Sequence, residues 1–163
     1  MSAALREMTD ERCAYCDGHP IDAMGEQQID HFQPKTDPRF VHLVCDWRNL
    51  FIACMQCNKA KGARWQPSLL RPDDGEFTFE RYFQYRFDTG ELQPNEVASQ
   101  EDQERARTTI EILGLNRAGA CKVRKWTIQR LRHPPPDDDA GDLPYRYLTP
   151  YAYRDAQPVA GGP

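Results

Sequence analysis

Two Cys-x-x-Cys pairs constrain the fold of this chain more than any other feature. The first pair is Cys13 with Cys16 and the second is Cys54 with Cys57. Each such turn brings two sulfurs near one point, and two turns together supply the four thiolates of a closed tetrahedral zinc site. Because four thiolates leave no position open for substrate, we predict a structural zinc ion that fastens the two pairs together.

Other interpretations of the cysteines need different features. A redox-active Cys-x-x-Cys motif requires no second motif, and a thiol redox protein would present exposed thiols that react without a chelator. Cys45 and Cys121 lie outside both pairs and are predicted to be small buried apolar residues.

Composition is ordinary for a soluble protein, with 39% hydrophobic and 28% charged residues among 163. No apolar run approaches the roughly 18 residues of a membrane helix, and residues 1–12 lack the apolar core of a signal peptide. The expected compartment is therefore the cytoplasm, where paired thiols favour metal binding over disulfides. The net charge of −4 argues against a general nucleic-acid coating protein.

Charge is unevenly distributed, and residues 35–64 are locally basic. Only Asp37 and Asp46 oppose the cations of this stretch, which are Lys35, Arg39, Arg48, Lys59, Lys61 and Arg64. Such a cluster forms either an ordinary solvated face or a phosphate-binding surface.

The residues between and just after the cysteine pairs carry a second motif. Asp30 and His31 are adjacent, Asn49 precedes the second pair, and Asn58 follows it directly. This order resembles the zinc-containing members of the HNH, or ββα-metal, endonuclease superfamily over about residues 11–64. A histidine at the last motif position is common in that family, and Asn58 is a variant that still supplies an oxygen ligand.

The resemblance implies an α+β fold in which a ββα-metal core is clasped by the four-cysteine zinc site. Its first strand would cover Gln27–Phe32, a connecting loop 33–48 and the second strand Asn49–Ala53. The helix would run from Asn58 onward.

The same resemblance implies a metal-dependent endonuclease acting on DNA, most simply duplex DNA. Asp30 and Asn58 would ligate Mg²⁺ or Mn²⁺ through oxygen, and His31 would act as the general base. Asn49 would fix the loop that presents the histidine. The candidate nucleic-acid contacts are Lys35, Lys59, Lys61 and Arg64. The alternative is a zinc-clasped module that binds nucleic acid or protein without cutting, but such a module has no use for the Asp30, His31, Asn58 set.

A narrower resemblance rests on the segments IDHFQPK (29–35), DWRNLFIACMQCNKAKG (46–62) and TIEILGLNRAG (109–119). They look like segments of the small HNH proteins that accompany an ATPase in bacterial antiphage systems of the Septu and retron type. This implies an ATPase partner, which would contribute the DNA affinity that an acidic chain lacks.

The remaining sequence predicts a scaffold. One domain, 1–132, would contain the core 11–66, an aromatic-rich β-hairpin at 76–93 and two helices within 99–131. The helices are predicted at 99–115, starting at Ser99, and at 117–131. The predicted apolar side of the second helix comprises Ala120, Val123, Trp126, Thr127 and Leu131. Residues 133–163 would form a Pro/Asp-rich linker and a tyrosine-rich tail that docks on the domain or on a partner.

Overall fold

The ββα core is built from two strands and a helix that lie close in sequence. The computed structural model describes residues 2–24, 26–134 and 142–154. After helix α1 (Ser2–Met8) and a 3₁₀ turn at Ile21–Met24, strand β1 (Gln27–His31) pairs antiparallel with β2 (Leu50–Cys54), and helix α2 (Met55–Lys61) follows. In the register of this pair Asp30 lies opposite Phe51. The α+β class with a ββα core, predicted from the sequence, is confirmed.

Helix α2 begins three residues earlier than the sequence predicted. Cys54 ends the strand with extended backbone angles and caps a helix that already contains Cys57 and Asn58. No helix-breaking residue separates the strand from Asn58, so the chain turns directly from β2 into α2. The second cysteine pair therefore spans the strand end and the first helical turn.

The connecting loop is ordered by two aspartates. Each starts a short 3₁₀ helix, at Pro38–Leu43 and at Trp47–Asn49. Asp37 Oδ1 accepts a hydrogen bond from the backbone N–H of Arg39, and Asp46 Oδ1 accepts one from that of Arg48, each at 3.0 Å. These short-range caps satisfy N–H groups that would otherwise lack partners.

The predicted hairpin at 76–93 is only partly present. Its strands are short, β3 (Phe83–Tyr85) and β4 (Leu92–Pro94), and the preceding helical turn α3 (Phe79–Tyr82) replaces the first half. Phe79 and Tyr82 of this turn are buried, as is Phe83 at the start of β3. Packing of these rings outweighs the strand preference of the aromatic residues.

Two longer helices confirm the predicted pair, α4 (Gln100–Leu113) and α5 (Ala118–Arg132). Ser99 Oγ accepts the Asp102 N–H at 3.1 Å, the predicted cap. The predicted apolar side of α5 was wrong at Trp126, which is 46% exposed. The buried residues of α5 are Ala120, Cys121, Arg124, Thr127, Ile128 and Leu131. Among the described residues, no helix combines the length and apolarity needed to cross a bilayer.

The described part of the tyrosine-rich tail packs on the domain, one of its two expected positions. It contains a 3₁₀ turn at Arg146–Leu148 and helix α6 (Thr149–Arg154). Its buried side chains include Leu143, Tyr145, Leu148, Tyr151 and Ala152. Arg146 pairs with Asp17, which follows the first cysteine pair. The other linker and tail residues, 135–141 and 155–163, lie outside the described residues.

Candidate active site

The four paired cysteines come together as predicted. Their sulfurs all lie within 4.8 Å of one another, and each cysteine is at most 3% exposed. A Zn–S distance of 2.3 Å corresponds to about 3.8 Å between sulfurs in a tetrahedron. Cys16 Sγ and Cys54 Sγ are 4.0 Å apart, so the cluster fits a zinc ion with little adjustment. Cys45 is exposed, contrary to the prediction, whereas Cys121 is buried.

A cation that sequence reasoning missed lies beside this cluster. Arg117 Nη1 is 3.7 Å from Cys57 Sγ, and Nη2 is 3.9 Å from Cys54 Sγ and 4.0 Å from Cys16 Sγ. Burial lowers the pKa of Arg117, but the negative sulfurs outweigh it, and the net shift is upward. The contact joins residues 60 or more positions apart, so no local pattern in the sequence indicates it.

Asp30 lies on the buried face of β1 and is 6% exposed. The Tyr15 hydroxyl donates a hydrogen bond to Asp30 Oδ2, and Lys61 Nζ forms an ion pair with the same oxygen at 2.9 Å. Burial, together with the negative charge of Asp30, raises the pKa of Tyr15 well above its usual value, which keeps the hydroxyl protonated as a donor. Both contacts use Oδ2, which leaves Oδ1 as the carboxylate oxygen for another ligand.

Lys61 occupies a different place from the one the sequence suggested. The sequence makes Lys61 a candidate phosphate contact, but it is only 1% exposed. Its Nζ donates to the backbone oxygen of His31 at 2.7 Å as well as pairing with Asp30. Lys61 therefore belongs to the buried support of β1. The sequence placed Lys61 in a basic cluster, and only the packing of α2 on β1 buries it.

His31 follows Asp30 on β1, so the alternation of side chains along a strand places it on the opposite face. Its Nε2 lies 3.0 Å from the backbone oxygen of Val44. Because a carbonyl oxygen only accepts, Nε2 carries the proton in the neutral ring and Nδ1 retains its lone pair. The ring is thus oriented by the connecting loop, with one nitrogen available as a base.

Asn49 holds that loop in place. Its Oδ1 accepts from the Gln33 N–H at 2.8 Å, and its Nδ2 donates to the Gln33 oxygen at 3.0 Å and to the Leu43 oxygen at 3.3 Å. Leu43 immediately precedes Val44, the residue whose carbonyl contacts His31. These contacts link Asn49 to the loop, and its role in positioning His31 stays a prediction.

Asn58 projects from α2 toward β1. Its Nδ2 donates to Gln28 Oε1 at 2.6 Å, an arrangement that leaves the amide oxygen free to accept. The oxygens of Asp30 and Asn58 are the hard donors that Mg²⁺ or Mn²⁺ prefers. The donor chemistry of this pair therefore fits a divalent cation, and Gln28 is a supporting residue that sequence reasoning did not single out.

The other candidate nucleic-acid contacts differ in their surroundings. Lys35 and Lys59 are exposed. Arg64 is also exposed, but its Nη2 donates to the backbone oxygens of Ala60 at 2.6 Å and Ile112 at 2.8 Å. Arg64 thus fastens α2 to α4 as well as presenting charge at the surface.

Comparisons with known proteins agree with this architecture. Residues 13–64 match the family model described as HNH endonuclease. The chain is 28% identical to the Septu protein PtuB of Bacillus thuringiensis over 116 residues, which cover 69% of this chain and 40% of that protein. It is 26% identical over 132 residues to a retron Vc95 protein of Vibrio cholerae serotype O1 biovar El Tor, whose name designates an HNH endonuclease; these cover 78% of this chain and 62% of that protein.

The alignments thus span less than two thirds of the length of either relative. The family match covers the whole ββα core, from Cys13 through α2 to Arg64. It includes both cysteine pairs, whose sulfurs cluster as a zinc site requires. Residues 13–64 of this chain therefore form a domain of the HNH endonuclease family.

Proposed function

We propose that this protein is a metal-dependent endonuclease that hydrolyses phosphodiester bonds in DNA, with His31 as general base. The observation that carries the proposal is the orientation of His31 by the Val44 carbonyl, which leaves Nδ1 free to accept a proton. Asp30 precedes it on β1, and Asn58 faces the same strand from α2. A module that only binds nucleic acid needs none of these three side chains in this order.

Hydrolysis begins with a proton transfer in this proposal. His31 Nδ1 takes a proton from water, and the water oxygen forms a new bond to phosphorus. The bond between phosphorus and the 3′ oxygen breaks, and that oxygen gains a proton from solvent. The products are a 5′-phosphate and a 3′-hydroxyl. Asn49 holds the loop that fixes the imidazole, so its role is positioning.

Asp30 and Asn58 are the proposed ligands of Mg²⁺ or Mn²⁺. When bound, the cation stabilises negative charge on the phosphate and the leaving oxygen. Tyr15 and Lys61 hold Asp30 through Oδ2, which supports Oδ1 as the oxygen toward the cation. Gln28 orients the Asn58 amide in the same way. The four cysteines hold a structural zinc ion that anchors β2 and α2.

The biological setting forms part of the same proposal. One relative is named as a Septu protein and another as a retron protein, which supports a role in antiphage defence. The resemblance of the sequence segments to nucleases that accompany an ATPase supports an ATPase partner here. Cleavage stimulated by a co-purifying ATPase would test this part.

Cleavage of plasmid DNA in Mg²⁺ or Mn²⁺ tests the reaction. The purified chain is compared with His31→Ala and with His42→Ala, since His42 is an exposed histidine in the same loop. Zinc content is measured in all three proteins. Cleavage by wild type and His42→Ala, with its loss in zinc-loaded His31→Ala, supports the proposal.

Equal cleavage by wild type and His31→Ala contradicts His31 as the base. If the wild type cleaves neither alone nor with its partner ATPase, the non-catalytic binding module becomes the better interpretation.

A further inference from the structure

Helix α5 exposes a face that neither the zinc site nor the catalytic residues use. Residues three and four positions apart are neighbours on the surface of a helix, and six such side chains lie along this face. The stripe comprises Lys122, Lys125, Trp126, Gln129, Arg130 and His133, here called the α5 stripe. The buried side of α5 is formed by other residues, Ala120, Cys121, Arg124, Thr127, Ile128 and Leu131.

The charge of this helix is one-sided although the protein as a whole is acidic. Helix α5 contains five Lys or Arg residues and no Asp or Glu, and of these cations Lys122 and Lys125 are exposed whereas Arg124 is buried. Helix α4 instead mixes signs, as in the pair of Arg107 with Glu104. Like charges at helical spacing destabilise a helix, so the exposed Lys122 and Lys125, on a helix that contains no acid, suit a negatively charged partner.

Trp126 adds an aromatic surface to these charges. It is 46% exposed, and the Arg130 guanidinium lies 5.4 Å from its ring centroid. Together with Gln129 and His133 these residues line a shallow depression. Lys125 Nζ contacts the backbone oxygen of Asp88, whose carboxylate is paired with Arg86.

We propose that the α5 stripe binds single-stranded DNA, with lysines contacting phosphates and Trp126 stacking on a base. A basic surface with an exposed aromatic ring matches the two recurring requirements for binding single strands. This inference rests on the proposed nuclease function and names a second DNA contact outside the HNH core. Charge complementarity favours a polyanion, and the exposed ring favours one with unpaired bases.

Binding is measured by fluorescence anisotropy with a labelled 20-nucleotide oligothymidine. The full-length zinc-loaded chain carries His31→Ala and Mg²⁺ is omitted, so the oligonucleotide stays intact and the outcome does not depend on catalysis. Variants Lys122→Ala/Lys125→Ala and Trp126→Ala are added, with Trp126→Phe as the matched aromatic control and Arg107→Ala as the exposed charge control.

We expect Trp126→Ala to weaken binding about tenfold, whereas Trp126→Phe and Arg107→Ala bind nearly as the parent does. The lysine double variant should weaken binding and reduce the salt slope by about 1.4, for two lost phosphate contacts. Unchanged binding in Trp126→Ala and the lysine variant overturns the proposal. Displacement of the oligonucleotide by polyglutamate at equal charge also overturns the proposal. The α5 stripe would then bind any polyanion, and stacking of Trp126 on a base would contribute nothing.

Failure of this binding test leaves the nuclease proposal standing, because plasmid cleavage by the wild type is measured separately. If the wild type cleaves neither alone nor with the ATPase while the α5 stripe still binds the oligonucleotide, the nuclease proposal is rejected and the binding proposal stands.

Discussion

The guanidinium of Arg117 lies against the four-cysteine cluster, with Nη1 3.7 Å from Cys57 Sγ. A zinc ion with four thiolates carries two net negative charges, and Arg117 is placed to offset part of them. Because Arg117 directly precedes α5, this contact also joins the zinc site to the second half of the chain.

Replacing Arg117 is expected to weaken zinc binding. Arg117→Met removes the cation, and outer-shell changes of this kind lower metal affinity by about 10- to 100-fold. Arg117→Lys keeps the positive charge but lacks the planar guanidinium, so its zinc affinity should lie between those of the wild type and Arg117→Met. Zinc release to a colorimetric chelator measures the effect, with Arg107→Met as control. Equal release from wild type and Arg117→Met would contradict the assignment.

Removal of the Lys61 charge is expected to destabilise the core. Lys61→Met leaves the buried Asp30 carboxylate without its counter-charge, a change that costs about 3 to 5 kcal/mol. The double variant Asp30→Asn/Lys61→Met should be less destabilised because neither charge remains unpaired. Urea unfolding of zinc-loaded proteins measures both. Additive free-energy losses in the double variant would show that the two side chains are not coupled.

Asn49→Ala should loosen the loop that carries the Val44 carbonyl. The change leaves the Gln33 N–H and the Gln33 oxygen without the Asn49 amide, and each polar group that loses its partner on burial costs about 1 to 3 kcal/mol. The Leu43 oxygen still accepts from the Asp46 N–H. Hydrogen exchange at the Gln33 amide should accelerate at least about tenfold. Gln56→Ala, at an exposed amide on α2, serves as control. Unaltered exchange at Gln33 in the Asn49 variant would rule out the positioning role.

Gly90→Ala should destabilise the contact between the β3–β4 loop and α5. Gly90 has φ of +78°, and an added Cβ would lie 2.4 Å from the backbone oxygen of Cys121. Positive φ and this backbone clash together should cost about 2 kcal/mol or more. Gly75→Ala is the matched control, because its Cβ would meet no atom within 4 Å. Thermal unfolding distinguishes them, and equal midpoints would refute the predicted clash.

Local chemistry in the sequence determined the core of this protein. Two Cys-x-x-Cys pairs predicted a four-sulfur cluster, and the cluster is present because such ligands have specific short spacings. The family resemblance carried by Asp30, His31, Asn49 and Asn58 implied the order strand, strand, helix, and β1, β2 and α2 follow that order. Ser99 predicted the start of α4 because a cap acts within three residues.

Tertiary structure decided which side chains support that core. Lys61 turned inward to Asp30, and Arg117 reached the sulfurs from a distant helix. The aromatic segment at 79–82 became helical, and Trp126 faced outward, because packing against neighbouring elements outweighed local pattern. Buried charge pairs and ring packing depend on which segments meet in space, and periodicity within one segment does not encode that meeting.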